Sequence, residues 1–451
     1  MNYQETLTYL YESTPMFQKI GGKAYKEGLG NTQMLDEYFK HPHQNFKTIH
    51  IAGTNGKGSC SHTLAAILQA AGYTVGLYTS PHLIDFRERI RINGEMVSEE
   101  YVVQFVENHR PFFEPLSPSF FELTTAMAFR YFADQKVDVA IIEVGLGGRL
   151  DCTNIISPDL SIITNISFDH MQFLGNTLPE IALEKAGIMK PHTPVVIGEA
   201  TDELRDVFLK KAKAVDAPIL FAEDSYPELK IETILPKSSQ ATSSKETYTH
   251  FTIEEDGQMR FEALGELAGE YQQKNGRTIF TAAQELKKMG YQINDEHLKY
   301  GLEHVTEMTH IMGRWQVLGH TPTIVCDTGH NKAGLSSIVT QLNDLKENGG
   351  YQQLHFIIGM MRDKDVDSVL HLLPSYATFY FTQASVDRTL KACELKESAV
   401  LLGLKGEAYI SVSDAFKAAK EKSLPEDLIF IGGSNFIVAD LLASSDTFDL
   451  H

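Results

Sequence analysis

A glycine-rich segment near the N-terminus has the residue types and spacing to hold nucleotide phosphates. A short apolar, β-branched run ends at Gly53, and an apolar-periodic helix is predicted to begin near Ser59. Glycines let backbone N–H groups converge on an anion, and the helix dipole adds partial positive charge. Lys57 supplies a full charge for a β- or γ-phosphate, and the Ser59 hydroxyl supports phosphate or Mg²⁺. ATP binding is the favoured interpretation, and a tight turn with a solvated lysine is the alternative.

Acidic and histidine side chains follow two further predicted strands. Residues 137–144 form an unbroken apolar run, typical of a buried parallel strand, that ends around Glu143. A buried carboxylate is costly unless it is paired or binds a cation. The apolar run 160–165 leads to Asp169 and His170. Because ligands of such sheets bind at the carboxyl ends of the strands, we expect Glu143 and His170 to meet Mg²⁺ and ATP there. For Glu143 or His170 taken alone, the alternative to metal binding is an ordinary structural role.

Composition and charge narrow the class of protein. The 451 residues are enough for two domains. A formal net charge of -19 argues against a general nucleic-acid or anionic-membrane surface, so an anionic substrate needs a local basic site. The four cysteines are scattered without a C-x-x-C pair, which suits a reducing compartment. The N-terminus does not resemble a signal peptide, and no apolar run approaches the roughly 20 residues of a membrane span. The sequence therefore predicts a cytoplasmic protein.

Two successive alternations of strands and helices predict an α/β fold with two domains. Residues 1–306 are predicted to form an N-terminal P-loop ATPase domain with a mostly parallel, doubly wound sheet. Residues 307–313 are the predicted linker, and residues 314–451 a smaller, Rossmann-like α/β domain. The polar span 228–261, with a Ser/Thr/Lys-rich patch at 237–245, is predicted to be a peripheral hairpin. The arginine-rich segment 86–94 is predicted to be exposed.

These motifs together resemble the folate branch of the Mur ligase superfamily, the folylpolyglutamate synthases that in many bacteria are also dihydrofolate synthases. The matching segments follow the family's order over most of the chain: Gly53–Ser59, Thr79–Leu83, Phe86–Gly94, Glu143–Asn154, Asp169–Gly175, Ile181–Lys190, Gln272 with Asn275, Gly313 with Arg314, Asp327–Asn331 and Asp363–Asp365. The resemblance implies an ATP-dependent ligase that joins L-glutamate to dihydropteroate and to (poly)glutamylated reduced folates through an acyl phosphate. A monomer is expected, with small-molecule substrates and with neither nucleic acid nor membrane as partner.

The resemblance also implies roles for individual residues. ATP is expected to contact Gly53, Thr54, Asn55, Gly56, Lys57, Gly58, Ser59, Asn275, Arg314, Asp327 and His330. Two Mg²⁺ ions are expected on Ser80, Glu143 and His170. Folate is expected at Ser119, Phe120, Phe121, Glu122, Leu150, Asp151 and Cys152. The catalytic set is Lys57, Glu143, His170 and Lys185, and the nucleotide is expected to be enclosed between the two domains.

Lys185 matches a lysine that carries a carbamate (N6-carboxylysine) in the family. A free ammonium beside Mg²⁺ and Lys57 would be repelled, so its pKa should fall, and the neutral amine is the form that reacts with CO₂. The carbamate would turn a repulsive neighbour into a ligand or into a group that orients one. The alternative is a surface lysine on a short helix, beside Glu184.

Three places depart from the family's usual motifs. Thr328 and Gly329 stand where glycine and alanine are commoner, which puts the local turn in doubt. Met312 stands where proline usually precedes Gly-Arg, a change that could loosen the linker. Tyr271 stands where a histidine is usual.

Three other functions compete with the bifunctional ligase. A monofunctional folylpolyglutamate synthase would share all of these motifs. A peptidoglycan ligase of the same superfamily is expected to need an additional N-terminal domain, for which the residues before Gly53 are too few. A nucleotide-gated regulatory protein would not require Glu143, His170 and Lys185 together.

Overall fold

The computed structural model describes residues 1–14, 28–235 and 247–444. The chain divides into two compact units. The first consists of Met1–Ile231, Phe251–Leu264 and Lys274–His310, and the second of Glu232–His250, Gly265–Gln273 and Ile311–His451. The second unit thus includes two stretches that the sequence placed in the first domain. The predicted boundaries at 306 and 314 stay a prediction.

A large parallel sheet forms the centre of the first unit. Its strands are β1 Lys47–Ala52, β2 Val75–Tyr78, β3 Ile90–Ile92, β4 Glu95–Met96, β5 Val139–Glu143, β6 Leu160–Ile163, β7 Val195–Ile197 and β8 Ile219–Phe221. They lie in the order β4-β3-β2-β5-β1-β6-β7-β8. All neighbours from β2 to β8 are parallel, and β3 and β4 add an antiparallel edge. The carboxyl ends of β1, β2, β5 and β6 therefore share one edge of the sheet.

Helices cover both faces of this sheet. As far as residue 310 they are α1 Tyr3–Ser13, α2 Gly30–Tyr38, α3 Lys57–Ala70, α4 Glu99–Phe113, α5 Phe120–Asp134, α6 Met171–Leu174, α7 Leu178–Lys185, α8 Asp202–Ala214, α9 Gln272–Lys288, α10 Asp295–Glu303 and α11 Val305–Thr309. Short 3₁₀ turns occur at Pro42–Asn45, Phe86–Arg89, Glu114–Leu116, Cys152–Ile155 and Ala186–Ile188. In β5, Val139 and Ile141 pack with α3, whereas Ala140 and Ile142 pack with α5. This alternation buries both faces, as in a doubly wound sheet.

A three-stranded sheet follows, made of β9 Leu229–Ile234, β10 Tyr248–Glu255 and β11 Gln258–Gly265 in the order β11-β10-β9. The predicted hairpin is thus accompanied by a third strand. The patch predicted at 237–245 lies outside the described residues.

The second unit has its own mostly parallel sheet. Its strands are β12 Gln316–His320, β13 Thr323–Cys326, β14 Leu354–Ile358, β15 Thr378–Phe381, β16 Gly406–Ala408 and β17 Leu428–Gly432, in the order β12-β13-β17-β14-β15-β16. Only the β12–β13 pair of this sheet, among the described residues, is antiparallel. The helices are α12 Lys332–Glu347, α13 Val366–Leu370, α14 Ala392–Leu401, α15 Val412–Lys422 and α16 Asn435–Leu442. The predicted α/β class with two such sheets is confirmed.

The prediction that residues 86–94 are exposed is wrong. Arg89 and Arg91 are 3% and 4% exposed. Arg89 donates to Nδ1 of His82 at 2.7 Å, and its guanidinium lies over the ring of Phe120. Burial lowers the pKa of both arginines. From charge alone, the side chains of Arg89 and Arg91 are predicted to lie in solvent, but in the structure these long side chains have partners inside the fold.

Candidate active site

The turn predicted to bind phosphate, named the phosphate-binding turn for that prediction, is the segment 53–56 between β1 and α3. Gly53 and Gly56 have φ angles of 143° and 84°, in the left-handed region that favours glycine. A Cβ atom on Gly53 would lie 1.8 Å from Oγ1 of Thr164, and one on Gly56 would lie 2.2 Å from Oδ1 of Asn275. Both positions therefore require glycine for backbone conformation and for space. The same contact brings Asn275 beside the turn.

The turn is fastened to the segment that follows β6. The Thr54 amide donates to the carbonyl oxygen of Asn165 at 2.9 Å, and the Asn55 amide donates to Asn165 Oδ1 at 3.0 Å. The Thr164 hydroxyl donates to the carbonyl oxygen of Asn55 at 2.6 Å. The backbone N–H groups of Thr54 and Asn55 thus already donate hydrogen bonds within the protein. An anion would instead bind to the N–H groups at the start of α3, where the helix dipole is positive.

Two lysines converge on one carbonyl oxygen of this turn. Lys57 Nζ donates to the carbonyl oxygens of Gly53 at 3.1 Å and Thr54 at 3.0 Å. Lys185 Nζ donates to the same Gly53 oxygen at 2.8 Å. Lys57 is the first residue of α3, two residues before the predicted helix start, and Ser59 is fully buried in that first turn. Two lysine amino groups therefore lie together where phosphate is expected.

Lys185 is a buried residue, and the alternative of a surface lysine is excluded. It ends α7 and is 5% exposed. Burial and the nearby Lys57 charge lower the pKa of Lys185 to about 7, and Asp169 and Asp151 partly oppose this shift. A substantial fraction of the side chain is therefore the neutral amine near pH 7.

Glu143 is the last residue of β5 and is 4% exposed. Its Oε2 accepts the backbone N–H of Ser80 at 3.1 Å. Ser80 follows β2, which pairs with β5. The structure thus brings together two of the three residues predicted to hold metal.

His170 lies on the segment after β6. Its φ angle is 50°, its N–H donates to Asp169 Oδ1 at 2.9 Å, and its Nε2 lies 3.8 Å from Asp169 Oδ2. The Ser167 amide donates to Thr54 Oγ1 at 3.0 Å, which fixes the start of this segment beside the phosphate-binding turn. Asp169 was predicted only as a companion of His170, yet it also acts electrostatically on Lys185.

The donor set fits a divalent cation that is shared with a nucleotide. Within the described ranges, no cluster of three His, Cys, Asp or Glu side chains could hold a metal by itself. Mg²⁺ usually binds through one or two carboxylates together with substrate phosphates and water. Glu143 with the adjacent Ser80 offers that chemistry, and the imidazole of His170 adds a nitrogen donor.

Replacing Glu143 with glutamine is expected to lower activity by about a hundredfold or more, because a metal supplies several kcal/mol of charge stabilisation. Glutamine keeps the shape and can still accept the Ser80 N–H, so the fold should persist. Raising Mg²⁺ should restore part of the rate. Steady-state rates over a Mg²⁺ titration would measure this, with the exposed Glu203→Gln as the control. Lower thermal stability with an unchanged metal dependence would instead identify Glu143 as a structural carboxylate.

The first group of predicted folate residues begins α5. The Ser119 hydroxyl accepts the Glu122 N–H at 3.2 Å, and Glu122 Oε2 accepts the Ser119 N–H at 2.6 Å, so this pair is a capping box. Phe120 is 3% exposed and lies in the core. The ring of Phe121 covers Gly145, where a Cβ atom would lie 2.5 Å away.

The second group lies after β5. Asp151 Oδ2 accepts the Leu146 N–H at 2.8 Å, and burial raises the pKa of Asp151. Burial also raises the pKa of the Cys152 thiol, and the carboxylates of Asp151 and Glu122 add to that shift. The thiol is therefore close enough to interact electrostatically with Asp151 of the second group and Glu122 of the first. Leu150 is partly exposed.

A buried histidine that the sequence did not single out supports Asp151. His50 lies in β1, fully buried, with Nε2 2.8 Å from Thr153 Oγ1. Thr153 Oγ1 donates to Asp151 Oδ1 at 2.5 Å, so it accepts the proton of His50 Nε2. Burial lowers the pKa of His50 to about 3, which keeps the ring neutral. The available signal was a histidine between Ile49 and Ile51, in the apolar half of a predicted strand.

The second unit holds three of the residues predicted to contact ATP. Asp327 ends β13 and is 2% exposed, and burial raises its pKa. Arg314 Nη1 donates to the Thr328 hydroxyl, and His330 Nδ1 lies 3.0 Å from the carbonyl oxygen of Thr328. These side chains share one turn region of the unit.

Comparison with known proteins identifies the family. A model of the Mur ligase middle domain matches residues 51–283, and one of the Mur ligase glutamate ligase domain matches residues 313–435. The chain is 32% identical to dihydrofolate synthase/folylpolyglutamate synthase of Bacillus subtilis, covering 92% of this chain and 94% of the relative. It is also 32% identical to folylpolyglutamate synthase of Lacticaseibacillus casei, covering 97% of each.

Solved structures agree over the whole chain. E. coli FolC in complex with DHPP and ADP has a TM-score of 0.81 at 27% identity and covers 100% of this chain and 99% of that one. The bifunctional folylpolyglutamate synthase/dihydrofolate synthase from Yersinia pestis, complexed with AMPPNP and Mn ion, has a TM-score of 0.78 at 27% identity, covering 99% and 98%. Such structures thus contain a nucleotide, and one contains a divalent metal.

The fold and the site define an ATP-dependent acid–amino-acid ligase, as predicted, and the chain belongs to the Mur ligase family. Within that family it falls in the dihydrofolate synthase/folylpolyglutamate synthase branch. In the described part of the chain, no helix is long and apolar enough to cross a bilayer.

Proposed function

We propose that this protein uses ATP to join L-glutamate to dihydropteroate and to (poly)glutamylated reduced folates through an acyl phosphate. The observation that carries the proposal is the convergence of Lys57 and Lys185 on Gly53, at the sheet edge where Glu143 ends β5. Relatives that span almost the whole chain bear the names of these two activities. The family match supports ligation rather than nucleotide-gated regulation.

The chemistry assigns work to the chain's own residues. A carboxylate is a poor acyl donor, so ATP converts it to an acyl phosphate with release of ADP. The glutamate amine then attacks the acyl carbon, and inorganic phosphate leaves. Lys57 and the N–H groups at the start of α3 would neutralise the moving phosphoryl group. Two Mg²⁺ ions, which Ser80, Glu143 and His170 would hold with a carbamylated Lys185 nearby, would supply further charge stabilisation when bound.

The remaining contacts are proposed on the family match and on the geometry above. Asn275, which lies against Gly56, would contact ATP, as would Arg314, Asp327 and His330. Enclosure of the nucleotide between two domains stays a prediction; it would exclude water that otherwise hydrolyses the acyl phosphate. The folate site is proposed, on the family match, at seven residues: Ser119, Phe120, Phe121, Glu122, Leu150, Asp151 and Cys152.

Both dihydropteroate and tetrahydrofolate are expected to be substrates, because the segments around Glu122 and Asp151 match those that receive the pterin in bifunctional relatives. Glutamate-dependent phosphate release, measured with ATP and each acceptor separately, would test this. Omitting glutamate is the control. Release with tetrahydrofolate alone would contradict the bifunctional assignment.

A monofunctional folylpolyglutamate synthase is the second candidate. The observation in its favour is that the Lacticaseibacillus casei relative of that name is as similar as the Bacillus subtilis relative named for both activities. The two-acceptor experiment above separates the candidates.

A cytoplasmic monomer completes the proposal. All four cysteines are free, which suits a reducing compartment. Sedimentation of the purified chain would test the monomer.

A further inference from the structure

The turn that carries Arg314 has an unusual backbone. Gly313 and Trp315 have φ angles of 67° and 45°. A left-handed conformation is rare for a bulky residue such as tryptophan and persists only where the surroundings enforce it. The Trp315 side chain is buried, and the backbone N–H of Trp315 donates to Asp327 Oδ2 at 2.8 Å. Contacts from outside the turn therefore hold this conformation.

Thr328 supplies the first of these contacts. Its N–H donates to the carbonyl oxygen of Gly313 at 3.0 Å, and its hydroxyl donates to the same oxygen at 2.9 Å. That hydroxyl also accepts from Nη1 of Arg314, which itself donates to the Gly313 oxygen at 3.1 Å. One buried hydroxyl thus joins the backbone of the turn to the guanidinium.

Tyr271 supplies the second contact, through Asp327. The Tyr271 hydroxyl donates to Asp327 Oδ2 at 2.5 Å, and the Gly329 N–H donates to Asp327 Oδ1 at 2.7 Å. With the Trp315 amide, three donors fix this carboxylate. The Tyr271 ring lies so close to Gly269 that a Cβ atom there would be 2.5 Å from the ring. The phenol is therefore held firmly as well.

We infer that Thr328 and Tyr271 are positioning residues that fix the Arg314 turn, so that the guanidinium is ordered before nucleotide binds. The inference rests on the proposed function, which gives Arg314 a contact with ATP. The hydrogen bonds of the guanidinium go to neutral oxygens, and the nearby Asp327 carboxylate interacts with it electrostatically without accepting a hydrogen bond from it. An arginine that is already ordered loses less side-chain freedom on binding.

The same geometry explains two departures from the family's usual motifs. Thr328 and Tyr271 stand in place of glycine and histidine, and both contact the turn or the carboxylate that supports it. The sequence put the local turn at Thr328 and Gly329 in doubt. In the structure Thr328 and Tyr271 restrain the neighbouring turn that carries Arg314.

The test compares Thr328→Val, which removes the hydroxyl at similar volume, with Thr328→Ser, which keeps it. Thr328→Val is expected to raise the KM for ATP about tenfold, the scale of one lost hydrogen bond to a charged group. Thr328→Ser should stay close to the wild type. Tyr271→Phe should raise the KM for ATP by a smaller factor, and Tyr271→His should restore part of it. The KM for glutamate and the melting temperature should be unchanged throughout.

Three outcomes would overturn the inference: a wild-type KM for ATP in Thr328→Val, equal defects in the valine and serine variants, or a joint shift of all substrate KM values with a lower melting temperature. Titration calorimetry of ATP into the same variants keeps the test separate from the proposed function. Were the wild type to lack glutamate-dependent phosphate release, the proposed function would fail. Weaker ATP binding by Thr328→Val but not Thr328→Ser would then still support the inference, and equal binding would overturn it. ATP binding by Arg314→Ala as tight as that of the wild type would also overturn it.

Discussion

Replacing Lys57 with alanine is expected to abolish ATP-dependent turnover while the protein stays folded. Lys57 is the first residue of α3, and its amino group lies against the Gly53 and Thr54 carbonyl oxygens. Removing a charge aimed at a transferring phosphoryl group costs about a thousandfold in rate. In this variant the backbone N–H groups of the phosphate-binding turn keep their hydrogen bonds to Asn165, so the fold should persist.

Glutamate-dependent phosphate release would measure the effect, and thermal unfolding would check the fold. The matched control is Lys213→Ala, which removes an exposed lysine from the last turn of α8 and should leave the rate unchanged. An unaltered rate in Lys57→Ala would remove this lysine from the mechanism. A lost thermal transition would make its role structural.

Replacing Lys185 with alanine is expected to leave almost no activity, and acetate should restore part of it. The proposed working group is the carbamate that forms when the neutral amine bonds to the carbon of CO₂ and releases one proton. Acetate is small enough to occupy the vacated anionic position. It should not raise the rate of Lys57→Ala, which serves as the control.

The lowered pKa of Lys185 gives this prediction a pH dependence. The neutral fraction of an amine with a pKa of about 7 grows as pH rises through that value. The carbamylated fraction at fixed CO₂ should therefore rise between about pH 6 and pH 8. Chemical trapping of the carbamate followed by intact-mass measurement would follow it. An unmodified Lys185 with full activity in CO₂-depleted buffer would contradict the proposal.

Local sequence patterns were sufficient for the strands that carry the site. The apolar run 137–144 contains β5 and places Glu143 at its end, because a strand buried on both faces reads as continuous hydrophobicity. The run Thr323–Cys326 coincides with β13. The helix after the phosphate-binding turn begins at Lys57 rather than near Ser59. Its first residues are polar or glycine, so the apolar periodicity does not reveal them.

Side-chain environments that depend on distant residues could not be predicted in this way. The local sequence predicts that Arg89 is a surface charge, whereas in the structure it contacts His82 and Phe120. The supporting role of His50 depends on its contact with Thr153, which is about a hundred residues away along the chain. Helices such as α4 and α8 carry polar faces and no site residues, so the motif-based interpretation did not include them.

The hydrogen bonds that Asn165 accepts from the phosphate-binding turn, and the one that Ser167 donates to it, have a thermodynamic consequence. They join that turn to the segment that carries Asp169 and His170, so a ligand that displaces one displaces the other. Nucleotide and cation binding, if they occur at these two places as proposed, are then expected to be linked and reciprocal: whatever factor a divalent cation contributes to nucleotide affinity, the nucleotide contributes to cation affinity. With a positive linkage, the half-loaded forms are depleted in favour of the empty and the fully loaded protein.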